Sequence, residues 1–252
     1  MEKYFNINAS GFSIRCKLYA KDPNDVNTIV LCGHGFAGHK DNRAAERFAK
    51  HLLDKNRAAA VMTFDWPCHG TDVRKTLRLA DCDAYLSSVL SWIGSRYPSA
   101  ALFGYATSFG GYLFLKYISE HGDPFKKVAL RCPAVVMYDV ITRVNMQPGD
   151  LERIGKGKPV SVGFDRKIEI DMPFLDSLRE ADITQCDFLP YADDLMILHG
   201  TKDEIVPFDA VKAFAENNVI EFEPVENADH RFQSPEKMDR AIALICAFFG
   251  MK

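Results

Sequence analysis

The chain has 252 residues, of which 47% are hydrophobic and 26% are charged, and its formal net charge is -3 at pH 7. This length and composition are typical of a globular protein with one large core, so we predict a single domain over residues 1–252. The small net charge and the lack of Lys/Arg-rich runs exclude a nucleic-acid partner, and no apolar stretch reaches the roughly 18 residues that a membrane span requires.

Residues 4–8 and 12–19, joined by residues 9–11, are two short segments typical of an antiparallel β-hairpin. From residue 28 onward, short apolar runs alternate with stretches whose apolar residues have helical spacing. The predicted strands are 28–33, 58–64, 100–105, 127–132, 194–198 and 219–223. The predicted helices are 42–55, 76–97, 109–121, one beginning near residue 207, and 235–249. This order predicts an α/β fold, a mostly parallel sheet with helices on both faces and the hairpin as an antiparallel edge.

Residues 134–193 break the alternation of strands and helices. They mix glycines and prolines with apolar residues, and a structureless loop of that length is improbable in a compact domain. We therefore predict an inserted lid over the carboxyl edge of the sheet, which is where ligands bind in open α/β sheets.

The central chemical signal is the segment GYATSFGG at residues 104–111, which follows an apolar strand and opens a helix. A serine nucleophile projects from a tight, strained turn, so the residues two before and two after it must be small. Those positions hold Ala106 and Gly110, whereas the usual pattern has glycine at both. Taken alone, the segment predicts either a nucleophilic Ser108 or an unreactive glycine-rich turn.

Serine is a weak nucleophile that needs an adjacent base and a group to orient that base. A strained strand-to-helix turn that carries a nucleophile is called a nucleophile elbow. After such an elbow, the partners follow in the order Ser, Asp, His from the ends of later strands. Asp203 lies in HGTKDEIVP, directly after a predicted strand, and His230 lies in NADHRF, between the last strand and the last helix. We predict that Ser108, Asp203 and His230 form a catalytic triad.

The segment HGFAG at residues 34–38 follows the first parallel strand. Acyl transfer builds negative charge on the carbonyl oxygen, so fixed N–H donors at that point lower the barrier. We predict that the backbone N–H groups of Phe36 and Phe109 form this oxyanion hole, and that the glycines let the backbone approach the substrate closely.

Together these segments resemble the α/β-hydrolase superfamily over residues 28–249. Within it, HGFAGHK at 34–40 and DWPCHG at 65–70 resemble the cinnamoyl/feruloyl esterase group and related bacterial carboxylesterases, in which these stretches commonly read HGF-x-G-x-K and D-x-x-x-HG. The resemblance implies the triad and oxyanion residues named above and a lid between the sixth and seventh strands. It also implies that no metal or organic cofactor takes part.

Two carboxylates compete with Asp203 for the orienting role. Glu204 follows it by one residue and is expected to point elsewhere, while Asp229 is the neighbour of His230. Asp203 is favoured because it lies directly beyond the end of the strand.

Other reactive side chains are assigned structural roles. His69 and Asp65 follow a strand within a turn, which favours packing or hydrogen bonding over a second acid–base pair or a metal site. Cys68 and Cys132 lack an elbow with small neighbours, which argues against a thiol nucleophile. The seven cysteines are scattered without a C-x-x-C pair, and the first ten residues have no long apolar run. We therefore expect a cytoplasmic protein without a secretory signal.

The sequence thus predicts a serine hydrolase that cleaves a small-molecule carboxylic ester, with an aryl ester such as a hydroxycinnamate suggested by the resemblance. Peptidase, thioesterase, lactonase and acyltransferase activities would use the same triad. A non-catalytic ligand-binding protein of the same fold is the alternative from another class. No particular substrate-binding residue and no oligomeric state is predicted.

Overall fold

The structure, a computed structural model, describes residues 1–9, 11–163 and 166–251. Ser10 of the predicted hairpin turn, residues 164 and 165 of the predicted lid, and Lys252 lie outside the described residues. The division of the chain into one domain with a lid at 134–193 stays a prediction.

An eight-stranded sheet forms the centre of the molecule. The strands in chain order are β1 Glu2–Ala9, β2 Phe12–Ala20, β3 Thr28–Gly33, β4 Ala59–Phe64, β5 Ala101–Thr107, β6 Val128–Arg131, β7 Val160–Val162, β8 Ile168–Ile170, β9 Leu195–Gly200 and β10 Glu221–Val225. In the large sheet they follow the order β1-β2-β4-β3-β5-β6-β9-β10, and β7 and β8 form a separate two-stranded sheet. The last six strands of this order, β4, β3, β5, β6, β9 and β10, are parallel. Strand β2 pairs antiparallel with both β1 and β4. The predicted α/β fold with its N-terminal hairpin is confirmed.

Helices connect the parallel strands. They are α1 Arg43–Lys55, α2 Leu79–Arg96, α3 Phe109–His121, α4 Met137–Val140, α5 Asp150–Gly155, α6 Met172–Glu180, α7 Phe208–Asn217 and α8 Pro235–Phe248. A π-helical turn spans Ile141–Asn145, and 3₁₀ turns span Ile183–Gln185 and Leu189–Asp194. Among the described residues, no helix combines the length and apolar character needed to cross a membrane.

Buried side chains cover both faces of the sheet, as expected for strands enclosed by two helical layers. In β3, Ile29 and Leu31 belong to the core shared with α2, α3 and the inserted segment. Their neighbours Val30 and Cys32 belong to a second core shared with α1 and α8. Side chains thus alternate between the two cores with a period of two. Because both faces of the sheet are covered, loops meet at the carboxyl ends of the strands.

Several predicted boundaries differ from the structure by two or three residues, and two of these differences have a clear physical cause. Helix α2 begins at Leu79 rather than at residue 76, because residues 75–77 are extended and pair with Glu169 of the insertion. Strand β10 begins two residues later than predicted. Val219 has a φ of 57° and is 70% exposed, so it completes the turn after α7 instead of entering the sheet.

Described residues of the insertion contact the loop that follows β4, and Thr76 of that loop forms a bridge with Glu169 of β8. Arg166 donates hydrogen bonds to the carbonyl oxygens of Cys68, Asp72 and Arg74. Beyond the hairpin, Arg78 makes a two-point ion pair with Asp171, at 2.8 and 2.6 Å. These contacts join the insertion to the 65–78 loop.

Candidate active site

Ser108 occupies a strained turn between β5 and α3. Its φ of 54° and ψ of −117° lie in a region that side-chain-bearing residues rarely adopt, and such a conformation costs on the order of 1–3 kcal/mol. Gly110 follows it so closely against the preceding loop that a Cβ atom there would lie 2.6 Å from the carbonyl oxygen of His34. The turn therefore has the strained backbone and the small neighbour that a nucleophile elbow requires.

Ala106, where the usual pattern has glycine, is fully buried without displacing the elbow. A Cβ atom added to Gly33 would lie 3.3 Å from the methyl group of Ala106. The missing side chain at Gly33 thus leaves room for this methyl group. Ser108 keeps its strained conformation despite the departure.

His230 and Asp203 form a short hydrogen-bonded pair. Nδ1 of His230 lies 2.7 Å from Oδ2 of Asp203, whose side chain is completely buried. The other carboxylate oxygen, Oδ1, accepts the backbone N–H groups of Ile205 and Val206, each at 2.8 Å. With both oxygens engaged, the carboxylate is fixed in the orientation that holds the imidazole.

The two competing carboxylates contact only backbone near the imidazole. Glu204 accepts the backbone N–H of His230 at 3.2 Å, and Asp229 accepts the backbone N–H of Arg231 at 2.8 Å. Asp203 is thus the carboxylate bonded to the ring of His230.

A second imidazole, that of His199, reaches the same carboxylate and was missed by the sequence prediction. Its Nε2 lies 3.2 Å from Oδ2 of Asp203 and 3.1 Å from the carbonyl oxygen of Val206. Since both partners are acceptors, Nε2 carries the proton and donates. The only sequence signal for His199 was the His-Gly pair at the end of β9. Its contact with Asp203 depends on the path of the loop after β9, which the sequence pattern does not show.

These contacts set the ionisation of Asp203. Burial opposes a charged carboxylate, but the hydrogen bonds from His199 and His230, the charge of His230 and the N–H of Val206 outweigh it and hold the pKa well below its usual range. Asp203 is therefore ionised throughout the neutral range, as an orienting residue must be.

Cys132 lies beside this pair. Its Sγ, an oxygen of Asp203 and a ring nitrogen of His230 are within 4.8 Å of one another, a set that could hold a metal ion. However, burial and then the negative charge of Asp203 raise the pKa of the Cys132 thiol well above its usual range. Metal binding requires the thiolate, so this environment favours a neutral thiol next to the acid–base pair.

The predicted oxyanion loop lies against the nucleophile. A Cβ atom on Gly35 would be 3.3 Å from the Cβ of Ser108. The rings of Phe36 and Phe109 are 5.7 Å apart and meet edge to face. Phe109 is the first residue of α3, so its N–H is one of those that a helix leaves without an internal partner. The two backbone segments are adjacent, and their role as oxyanion donors stays a prediction.

Comparison with known families agrees with this geometry. Residues 24–149 match the family described as serine aminopeptidase, S33, and residues 99–252, more than half of the chain, match the prolyl oligopeptidase family. The second match contains Ser108, Asp203 and His230. The chain belongs to the α/β-hydrolase superfamily of serine hydrolases.

Solved structures are similar to this hydrolase over nearly its whole length. Est1E from Butyrivibrio proteoclasticus, solved with ferulic acid, is 19% identical with a TM-score of 0.74, and the match covers 98% of this chain and 99% of that one. The Pyrococcus furiosus esterase Pf2001 is 16% identical with a TM-score of 0.71, covering 99% and 92%. The esterase domain of a Rhodothermus marinus protein is 16% identical with a TM-score of 0.69, covering 98% and 96%. At these identities the likeness concerns the fold. No curated protein matches the chain in sequence.

Asp65 of the hydrolase joins the segment between β3 and α1 to the loop that follows β4. Its buried carboxylate accepts the backbone N–H of Lys40 at 2.7 Å and that of Thr71 at 2.9 Å, and its Oδ2 lies 3.2 Å from Nζ of Lys40. These contacts agree with the predicted structural role of this residue.

His34, the first residue of the predicted oxyanion loop, and His69 are both buried and uncharged. Burial lowers the pKa of His34 to about 4, and burial together with the neighbouring His34 lowers the pKa of His69 to about 3. Nδ1 of His69 donates to the carbonyl oxygen of Pro67 at 2.8 Å, and its ring stacks on that of Phe109. Packing against this aromatic ring agrees with the structural role predicted for His69.

The hydrolase is expected to lose stability as the pH falls below about 6.5. In the unfolded chain both histidines bind protons near pH 6.5, whereas the folded protein resists protonation down to about pH 4 and 3. The unfolded state therefore binds more protons in this window, so the free energy of unfolding decreases by on the order of several kcal/mol as the pH is lowered. Urea unfolding from about pH 7 to about pH 4 measures this slope.

The variant His69→Phe removes one of the two groups and should flatten the slope. Ser119→Ala, which changes no titratable group, should keep the wild-type slope. Identical slopes for wild type and His69→Phe would contradict the assignment of the acid sensitivity to this buried ring.

Proposed function

We propose that this hydrolase cleaves carboxylic esters through an acyl-enzyme on Ser108. The observation that carries the proposal is a strained serine at the same sheet edge as an imidazole held 2.7 Å from a buried, ionised carboxylate. A binding protein has no need of such a set. The matches to two serine peptidase families support hydrolysis in general.

In the proposed reaction, His230 takes the proton of the Ser108 hydroxyl as Oγ attacks the carbonyl carbon of the ester. Negative charge moves to the carbonyl oxygen, where the N–H groups of Phe36 and Phe109 stabilise it. Collapse of the intermediate breaks the C–O bond, and His230 returns the proton to the leaving alcohol. Water then attacks the acyl-enzyme by the same route and releases the acid. Asp203 stabilises the imidazolium throughout, and every step uses groups of this chain without a metal or cofactor.

An aryl ester is the substrate class that we favour. Est1E was solved with ferulic acid, and its likeness to this chain extends over the inserted segment as well as the sheet. The HGFAGHK and DWPCHG segments support the same choice, because they resemble the cinnamoyl/feruloyl esterase group. A peptidase is the second candidate, since both matching families are described as peptidases.

Substrate profiling of the wild-type protein tests the proposal. The panel comprises p-nitrophenyl esters of increasing chain length, methyl hydroxycinnamates, acyl thioesters, lactones and peptide p-nitroanilides. We expect ester hydrolysis, with a preference for aryl acids. Hydrolysis of the anilides alone would favour the peptidase, and preferential turnover of thioesters or lactones would move the assignment to those classes. A protein that turns over no substrate and fails to react with a fluorophosphonate would be a binding protein.

We also propose that the enzyme acts in the cytoplasm on small-molecule esters. All seven cysteines lie in the described part of the chain, and each is a free thiol. Free cysteines in this number are typical of a reducing compartment. Fractionation of the native cells, followed by fluorophosphonate labelling, would locate the active protein.

A further inference from the structure

Arg131 is a buried cation at the edge where the candidate triad lies. It is the last residue of β6, between the strand that leads to Ser108 and the strand that leads to Asp203. Only 5% of it is exposed. Among the residues that the structure describes, its three hydrogen-bond acceptors are all neutral oxygens, although a buried charge is costly and is ordinarily paired with an opposite one.

The contacts of Arg131 join the segment of the nucleophile to that of the base. Its carbonyl oxygen accepts the backbone N–H of Ser108 at 3.1 Å. Its guanidinium donates to the hydroxyls of two residues of β5, the strand that ends at the elbow: Tyr105 at 3.2 Å and Thr107 at 3.4 Å. A third donor reaches the carbonyl oxygen of His230 at 3.2 Å.

The loop that carries His230 is also bonded to the 199–204 segment, through the backbone N–H of Lys202 to the carbonyl oxygen of Ala228 and the backbone N–H of His230 to Glu204. It connects β10 to α8 without regular secondary structure. The guanidinium of Arg131 also lies 5.1 Å from the centre of the Phe232 ring, so it holds this loop at two points. The planar, five-donor guanidinium can bond to several acceptors at once, which the single ammonium of lysine cannot do in the same geometry.

We propose that Arg131 is a positioning residue. It fixes the distance between Ser108 and His230 by bonding both to the strand that ends at Ser108 and to the loop that carries His230. This inference rests on the proposed function. Proton transfer requires the base within hydrogen-bond reach of the hydroxyl, and a misplacement of about 1 Å costs on the order of 10²-fold in rate. Such a cost would account for a buried cation whose acceptors, within the described part of the chain, are all neutral oxygens.

The test compares Arg131→Ala with Arg131→Lys. We expect Arg131→Ala to lower kcat by about 10²-fold with a smaller change in KM, because the substrate contacts remain while the base moves. Guanidinium chloride, well below unfolding concentrations, should restore part of the kcat by filling the cavity, whereas equal sodium chloride should not. The kcat of Arg131→Lys should lie between those of the wild type and Arg131→Ala. Arg47→Ala, which removes an exposed ion pair with Asp239, is the control under the same salts.

Three results would overturn the proposal. One is a folded Arg131→Ala with unchanged kcat, and another is an equal recovery in sodium chloride. The third is a loss that neither guanidinium nor lysine restores, since the defect would then be one of folding. Should Arg131→Ala fail to fold, the wild type and Arg131→Lys supply the comparison. If the wild type hydrolyses no ester, the proposed function fails, and the rate of fluorophosphonate labelling of Ser108 still reports whether Arg131 positions the pair.

Discussion

Replacing Ser108 with alanine is expected to lower kcat for ester hydrolysis by at least about a thousandfold. The variant lacks the atom that attacks the carbonyl, so only substrate binding and the oxyanion donors remain to accelerate reaction with water. The fold should persist, because alanine keeps the Cβ of Ser108 and shares its backbone strain at φ 54°. Kinetics on the best p-nitrophenyl ester, with a thermal unfolding curve for each protein, measure both quantities.

Ser119→Ala is the matched control for this experiment. Ser119 lies on the same helix, and its hydroxyl bonds only to the carbonyl oxygen of Lys116 in the preceding turn, at 2.8 Å. We expect wild-type kinetics from it. If Ser108→Ala kept the wild-type kcat, the hydrolysis would come from another nucleophile and the acyl-enzyme on Ser108 would be ruled out.

The sheet and the location of the candidate site could be predicted because both follow from local patterns. Each reactive segment follows a predicted strand, and parallel strands bring their carboxyl ends to one edge. Ser108, Asp203 and His230 are therefore placed at the same edge by strand order alone. The pairing of Asp203 with the His230 ring, at 2.7 Å, is a structural finding that this order could only suggest.

Other features could not be predicted because they depend on contacts between distant segments. The three-residue delay in the start of α2 comes from pairing with Glu169, more than 90 residues away. Likewise, the guanidinium of Arg131 meets the carbonyl oxygen of His230 only after β6, β9 and β10 are assembled side by side in the sheet. An arginine at the end of a buried strand has no periodic or spacing signal that separates it from an ordinary strand residue.

Replacing Asp203 with asparagine is expected to lower kcat by about 10⁴-fold, the usual cost of placing the wrong partner behind a catalytic imidazole. The reason lies in the two backbone N–H groups, of Ile205 and Val206, that point at Oδ1. Only an oxygen can accept them, so the amide nitrogen must take the position of Oδ2. Its N–H groups then face Nδ1 of His230, which has to become an acceptor. The proton of the ring moves to Nε2, the nitrogen that the proposed mechanism needs free.

His199 makes an amide at position 203 unfavourable in this orientation. Its Nε2 carries a proton toward both Oδ2 of Asp203 and the carbonyl oxygen of Val206, so an amide nitrogen at that point would set two donors against each other. We therefore expect Asp203→Asn to lose stability at neutral pH as well as activity. Glu204→Gln is the control, because it removes a neighbouring charge that contacts only the backbone N–H of His230. If Asp203→Asn kept its activity while Glu204→Gln lost it, the orienting carboxylate would be Glu204, and the contact between Asp203 and the imidazole ring would have only a structural role.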